Sequence, residues 1–306
     1  MHTLMYHNVI EQKSDLPIAK GQVTMDAFRR QMDRLRRHIL HPQAVDEALQ
    51  QGKTPRGILI TFDDGAAGVI HAADILAEKG LTGVVFICPA ALQNGLWFYR
   101  LADGLVRATA SEVVWAGEPL PLINPEQRRT AYRILSTALF EESPAQRDKQ
   151  LAMLIDRLRP EGITPLELQI MDEGQLRHAV GRGSLMVANH SWSHPNVTTL
   201  NEADLHREIS AAQGWLERSG LPVLRWFAFP RGAFNTETVH AAKESCHALF
   251  SATAHRTDPA LLPRTEINAL DNNLARFTLK TGLGGHPFRQ IISPLKARLK
   301  GIQGGV

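Results

Sequence analysis

The stretch "ILITFDDGAAG", residues 58–68, decides the fold. An apolar run from Ile58 to Phe62 ends on two adjacent carboxylates, Asp63 and Asp64, followed by Gly65. A nearly unbroken apolar run of this length reads as a strand covered on both faces, the situation of a parallel sheet flanked by helices. Chemistry in such sheets sits at the carboxyl ends of the strands. Burying one negative charge is costly, and two side by side repel each other. A cation would offset that cost. So would a reaction that needs one carboxylate on a metal and its neighbour ionised as a base.

Working outward, similar runs recur at "TLMYH" (3–7), "TGVVFICP" (82–89), "LMVANH" (185–190), "RWFAFP" (225–230) and "HALFSAT" (247–253). Helical patterns separate them. "TMDAFRRQMDRL" places Phe28, Met32 and Leu35 on one face. "NEADLHREISAAQGWLERSG" opens with Asn201 as a cap, carries Leu205, Ile209, Ala212 and Leu216, and stops at Gly220. This βα alternation predicts parallel strands with right-handed crossovers, in an open sheet or a barrel.

The rhythm breaks from about 97 to 180, where helix patterns follow one another. In "SPAQRDKQLAMLIDRLRP", Ser143 caps, Pro144 takes the first helical position, and Leu151, Leu154, Ile155 and Leu158 form the stripe. The expectation is one domain over 1–306 with a helical insertion on its core. A basic amphipathic tail at about 288–306 carries Ile291, Leu295, Leu299 and Ile302 beside Lys296, Arg298 and Lys300. Such a tail either packs on the barrel or rests peripherally on a membrane.

Composition narrows the classes. At 43% hydrophobic and 21% charged, with a formal net charge of +3, the chain is an ordinary globular one. The basic stretch "FRRQMDRLRRH" reads as a solvated helix face, so nucleic acid is not an expected partner. Cys88 and Cys246 read as small buried hydrophobes rather than a disulfide framework. "MHTLMYHNV" lacks the charged and apolar regions of a signal peptide, and no apolar run is long enough to span a bilayer. The expected compartment is the cytoplasm, with the inner membrane face as the alternative that the tail raises.

A second polar cluster, "ANHSWSHPN", ends another apolar run and supplies His190 and His194. The spacing is that of helical zinc proteases, but Ser191 stands where their catalytic Glu would be, and Pro195 disfavours a helix through His194. A loop at a strand end can still aim both imidazoles inward. One carboxylate with two imidazoles makes a three-ligand site with open positions, suited to Zn²⁺ or to Fe²⁺, Co²⁺ or Ni²⁺.

"TFDDG" followed by "HSWSHP" resembles the polysaccharide deacetylases, the NodB-homology or family 4 carbohydrate esterases, and "FAFPRG" resembles their Pro-x-Gly third motif. "LMYHNV" looks like the permuted branch that includes poly-N-acetylglucosamine deacetylases, in which the usually final Leu-x-His motif comes first. The resemblance covers roughly 1–97 and 180–270 and implies an α/β fold, a distorted (β/α)7 barrel. It implies a metal-dependent hydrolase that removes an N-acetyl group from an amino sugar in a glycan or its precursor. Asp64, His190 and His194 would hold the metal, and Asp63 would be the base that deprotonates the attacking water. A backbone N–H near Pro230 and Arg231 would help to stabilise the oxyanion. His7 would protonate the leaving amine, in competition with His255 and His286.

Two departures stand out. Ala228 occupies the position where the family often has the Arg that orients the base, and Arg264 in "LLPRTEI" is the candidate replacement. Ala66 and Ala67 stand where many relatives place an aromatic residue. Trp97, Phe98 and Tyr99 either anchor the insertion or wall the substrate, with Trp97 kept as a substrate candidate. The start of that insertion is similar to deacetylases of bacterial surface-polysaccharide synthesis, which implies by analogy a lipid- or nucleotide-linked amino sugar. Two competing functions remain: deformylation or other amide hydrolysis on the same metal site, and a non-catalytic glycan-binding protein.

Overall fold

The computed structural model describes residues 1–18, 21–253 and 261–282. Seven parallel strands close into a barrel: β1 (His2–Tyr6), β2 (Ile58–Phe62), β3 (Gly83–Ile87), β4 (Leu185–Asn189), β5 (Val223–Ala228), β6 (Ala248–Ser251) and β7 (Leu262–Glu266). They neighbour one another in chain order, and β7 closes against β1 with Thr3 opposite Arg264 and Met5 opposite Glu266. The α/β barrel expected from the motifs is therefore the observed architecture. The strand that sequence patterning alone passed over is β7, whose "LPRTE" carries a proline and two charges.

Period-two alternation sorts the strand side chains. Leu59, Val84, Phe86, Ala188, Trp226, Ala228 and Phe250 form the barrel interior. Their neighbours Leu4, Tyr6, Ile60, Phe62, Val85 and Val187 face outward into the surrounding helices. Helix Pro42–Gln50 adds Val45 to the interior cluster. Its Asp46 accepts from Trp226 Nε1 at 2.5 Å and pairs with His247 Nε2 at 2.7 Å, which satisfies a buried indole where the barrel is filled.

Ladder pairing runs past the strand ends and fixes the loops that follow. Asp63 N–H donates to the Tyr6 carbonyl, His190 N–H to Ile87, Phe229 N–H to Phe250, and Ile267 N–H to Met5, all between 2.8 and 3.0 Å. Asp64 and Gly65 then turn the chain, both with φ of 73°. Gly68 cannot carry a side chain, because a Cβ there would lie 2.2 Å from the Val9 carbonyl oxygen.

The region 97–180 divides into two parts. Helices Trp97–Arg107, Pro125–Phe140 and Pro144–Leu158 share their own apolar cluster, including Leu101, Leu105, Leu135, Leu139, Leu151 and Leu154. An antiparallel hairpin of Glu112–Trp115 and Glu118–Pro121 sits among them, where the sequence suggested helices alone. Helix Glu173–Gly181 instead buries Leu176, Ala179 and Val180 in the main core and serves as the crossover into β4. The caps fall where the sequence placed them: Ser143 Oγ accepts from Gln146 N–H, and Asn201 Oδ1 from Asp204 N–H. The tail at 288–306 lies outside the described residues, as do His255 and His286. No helix among the described residues is long and apolar enough to cross a membrane.

Candidate active site

The carboxyl ends of β1, β2, β4, β5 and β7 open into a pocket of about 830 Å³ lined by His7, Asp63, Asp64, His190, His194 and Arg264. That volume lies within the range typical of ligand sites, roughly 300–1,000 Å³. His190 Nε2 and His194 Nε2 each stand 3.5 Å from Asp64 Oδ1. The three ligand atoms lie within 4.8 Å of one another, and all three residues are buried.

Hydrogen bonding sets what these atoms present to one another. His190 Nδ1 lies 2.8 Å from the Ala228 carbonyl. A carbonyl only accepts, so Nδ1 carries a proton and Nε2 is the ring atom turned toward Asp64; burial lowers the His190 pKa, but Asp63 and Asp64 outweigh it and raise it. Asp64 Oδ1 is buried without a hydrogen-bond donor. A buried carboxylate oxygen 3.5 Å from two imidazole nitrogens is an arrangement that a divalent cation satisfies, and the donor set of two nitrogens and one carboxylate suits a transition metal.

Asp63 points the same way but is held differently. Arg264 Nη1 and Nη2 donate to its two oxygens at 2.6 and 2.7 Å, and both side chains are buried. Burial pushes the Asp63 carboxyl up, but Arg264 and His190 outweigh it, so the group stays ionised below the usual carboxylate range. The guanidinium on Asp63 thus comes from Arg264 on β7 and not from position 228. Burial likewise opposes ionisation of Asp64, and its neighbours, His190 foremost, outweigh it and hold Asp64 well below its ordinary value. Burial dominates at His194 and lowers it to about 3, so its imidazole is neutral near pH 7 and able to ligate.

The ligand loops pay for their shape in backbone strain. Asp64, Ser191, His194 and Arg231 all have positive φ, from 51° to 73°, in a region costing non-glycine residues on the order of 1–3 kcal/mol each. Local bonds hold the turn that Pro195 keeps non-helical: Ser191 N–H donates to Asn189 Oδ1 at 2.8 Å and His194 N–H to Ser191 Oγ at 3.0 Å. The helix over 202–218 contains a π-helical segment, Arg207–Ala211. Widening a helix displaces carbonyls from their usual partners. Here the Glu208 carbonyl accepts from Trp192 N–H at 2.8 Å and the Ile209 carbonyl from Asn189 Nδ2 at 2.9 Å. The Glu208 carboxylate accepts from both Ser193 N–H (2.8 Å) and Ser193 Oγ (2.7 Å). From the insertion, buried Arg147 reaches the Ser193 carbonyl at 3.3 Å, and Trp97 Nε1 donates to the His194 carbonyl at 2.9 Å.

The remaining candidates fall as follows. His7 lines the pocket at the end of β1, with its Nδ1 buried and unpartnered. Arg231 lines it in the turn Pro230–Gly232, while Pro230 itself is buried. Trp97 corrects the expectation of a substrate contact: it is 3% exposed and braces the His194 loop, and Phe98 and Tyr99 line the pocket in its place. The Phe98 ring packs on His194 at 4.9 Å. Sequence reasoning missed Arg147, Asn189 and Glu208. Only the polar Asn189 at the end of an apolar run offered a signal.

Comparison with known proteins agrees with this fold. The family model described as polysaccharide deacetylase matches residues 135–247, which include His190 and His194; Asp63 and Asp64 precede the match. No curated protein matches. Among solved structures, a polysaccharide deacetylase from Bacillus cereus is similar over 92% of this chain and 68% of its own, at 13% identity and a TM-score of 0.56. IcaB from Ammonifex degensii is similar over 92% and 96%, at 15% identity and 0.56. The BpsB deacetylase domain from Bordetella bronchiseptica covers 87% and 94%, at 15% and 0.51. These likenesses carry the fold. The family model, over residues 135–247, makes the chain similar to the polysaccharide deacetylases.

Proposed function

We propose that the protein is a metal-dependent N-deacetylase of an amino sugar in a glycan or a lipid- or nucleotide-linked glycan precursor. The observation that carries this reading is the pairing of a buried three-ligand cluster with a second, ionised carboxylate beside it, held by Arg264 and left out of the ligand set. Zn²⁺ or a similar divalent ion on Asp64, His190 and His194 would acidify water and polarise the acetyl carbonyl.

The chain's own residues supply the rest. Asp63 takes the proton of the attacking water, and Arg264 keeps that carboxylate ionised and fixed in direction. Gly232 and Ala233 spend their N–H groups on the carbonyls of Phe229 and Pro230, so the Arg231 N–H is the turn's candidate donor to the developing oxyanion. His7 faces the pocket with an unpartnered ring nitrogen and protonates the amine as the C–N bond breaks. Phe98, rather than Trp97, offers the aromatic face to the sugar. A binding protein has no use for a base held this way, which weighs against the non-catalytic alternative.

Acetate release from N-acetylated saccharides tests the reading, before and after chelation and with Zn²⁺, Co²⁺ or Ni²⁺ restored. Activity lost on chelation and regained with metal is the expected result. Activity indifferent to a chelator that has stripped the protein would exclude metal dependence, and formate rather than acetate release from matched substrates would favour deformylation.

A further inference from the structure

The insertion contributes more to the pocket than its aromatic residues. Helix Pro125–Phe140 buries Ala131, Leu135 and Leu139 in the insertion core. Its other face presents Arg129, Tyr132, Arg133 and Ser136, spaced as one helical stripe, to the pocket that holds the metal ligands. Arg231 joins them from the turn after β5. Its guanidinium lies 4.3 Å over the Phe140 ring and 5.5 Å over Trp97, and donates to the Ser136 carbonyl at 3.3 Å. Arg129 donates to the Asp15 carbonyl at 3.2 Å.

None of these three guanidinium groups has a carboxylate within 4.0 Å among the described residues. The acids nearest in kind are Glu126 and Glu266, which line the same pocket, and Glu141, which attracts Arg231 and accepts from Asn196 Nδ2. Arg264 is already matched by Asp63. A divalent ion would more than neutralise Asp64. Once that ion is bound, the pocket lining carries an excess of positive charge, to which the insertion contributes Arg129 and Arg133 against Glu126. Arginine presents a planar fork of donors that matches phosphate and carboxylate oxygens and is only weakly hydrated. A pocket built for a wholly neutral saccharide would have no use for three such groups.

We propose that Arg129, Arg133 and Arg231 form an anion subsite beside the metal ligands, which receives a phosphate or carboxylate carried by the same N-acetylated sugar substrate. The proposal rests on the deacetylase reading and narrows its substrate class. The phosphate source would be a sugar linked through a phosphate or diphosphate ester, and the carboxylate source a uronic acid next to the amino sugar. Tyr132 and Ser136, on the same stripe, add hydroxyl groups to the anion's surroundings.

The test uses the full-length, zinc-loaded protein and three probes: a neutral N-acetylglucosamine oligosaccharide, a uridine-diphosphate N-acetylglucosamine, and an oligosaccharide alternating N-acetylglucosamine with a uronic acid. Acetate release is followed for wild type and for the double variant Arg129→Gln with Arg133→Gln. One charged probe should exceed the neutral one in kcat/KM by about tenfold or more, the advantage should shrink with added salt, and the double variant should erase it. Which charged probe wins identifies the source of the anion. Equal rates on neutral and charged probes, or a double variant that slows all three alike, would overturn the subsite. If no probe releases acetate, the deacetylase reading is what fails. Calorimetric binding of N-acetylglucosamine 1-phosphate against N-acetylglucosamine then judges the subsite by itself. Tighter binding of the phosphate that the double variant abolishes supports it, and a preference unchanged in the double variant refutes it, since that preference would come from the metal.

Discussion

Asp63 and Arg264 form a buried, two-pronged ion pair, and removing one partner strands the other charge. Breaking such a pair typically costs about 3–5 kcal/mol. The sign of its pH dependence follows from the direction of the Asp63 shift. A carboxyl held below its unfolded value adds stability above that value and loses it as pH falls through the folded one. In Arg264→Met the largest remaining influence on Asp63 is burial, which raises its pKa. The variant's metal-free form should therefore be less stable than wild type at neutral pH. The difference should narrow on acidification as Asp63 takes up a proton. Denaturant unfolding across pH 4 to 8 measures this, and a gap that widened toward low pH would contradict the pairing. In the metal-loaded enzyme the acid limb of kcat/KM should move to higher pH, because the base now protonates more readily.

At the scale of elements, the proposed metal ligands depend on pieces that lie outside the ligand cluster. The π-helical segment Arg207–Ala211 turns the carbonyls of Glu208 and Ile209 toward the loop that carries both histidines. Arg147 reaches Ser193 from the insertion, 46 residues away in the chain. Groups that orient metal ligands typically change affinity by 10–100-fold when removed. Arg147→Met should weaken Zn²⁺ binding by roughly that factor while leaving turnover per bound metal within a few-fold of wild type. Competition against a chelating dye reads the first quantity and acetate release at saturating zinc the second. Unchanged affinity would mean that the insertion does not brace the ligand loop. These supports were illegible in the sequence for a physical reason: a carbonyl freed by a π turn, or an arginine crossing from a separate helix pair, leaves no periodic trace. The histidines were legible because both lie in one polar cluster at the end of an apolar run.

For the whole molecule, the barrel brings together residues from the ends of five strands whose chain positions span 7 to 264. Six of those seven strands could be read from apolar runs ended by turn or polar residues. The seventh, β7, could not, because Pro263, Arg264 and Glu266 hide it; its register against β1 makes it a strand, and that register delivers Arg264 to Asp63. The aromatic cluster was legible as a cluster, but which ring faces the pocket depended on how the insertion helix sits, so Trp97 anchors while Phe98 and Tyr99 line the pocket. The division of labour between the two adjacent carboxylates can be read in a single comparison of Asp63→Asn with wild type, measuring bound zinc per chain and kcat for acetate release on one preparation. Asp63→Asn should retain one equivalent of zinc and lose at least about 10²-fold in kcat, since general-base catalysis contributes on the order of 10²–10⁴-fold. Full activity in that variant, or loss of its zinc, would contradict the assignment of Asp64 to the ion and Asp63 to the proton.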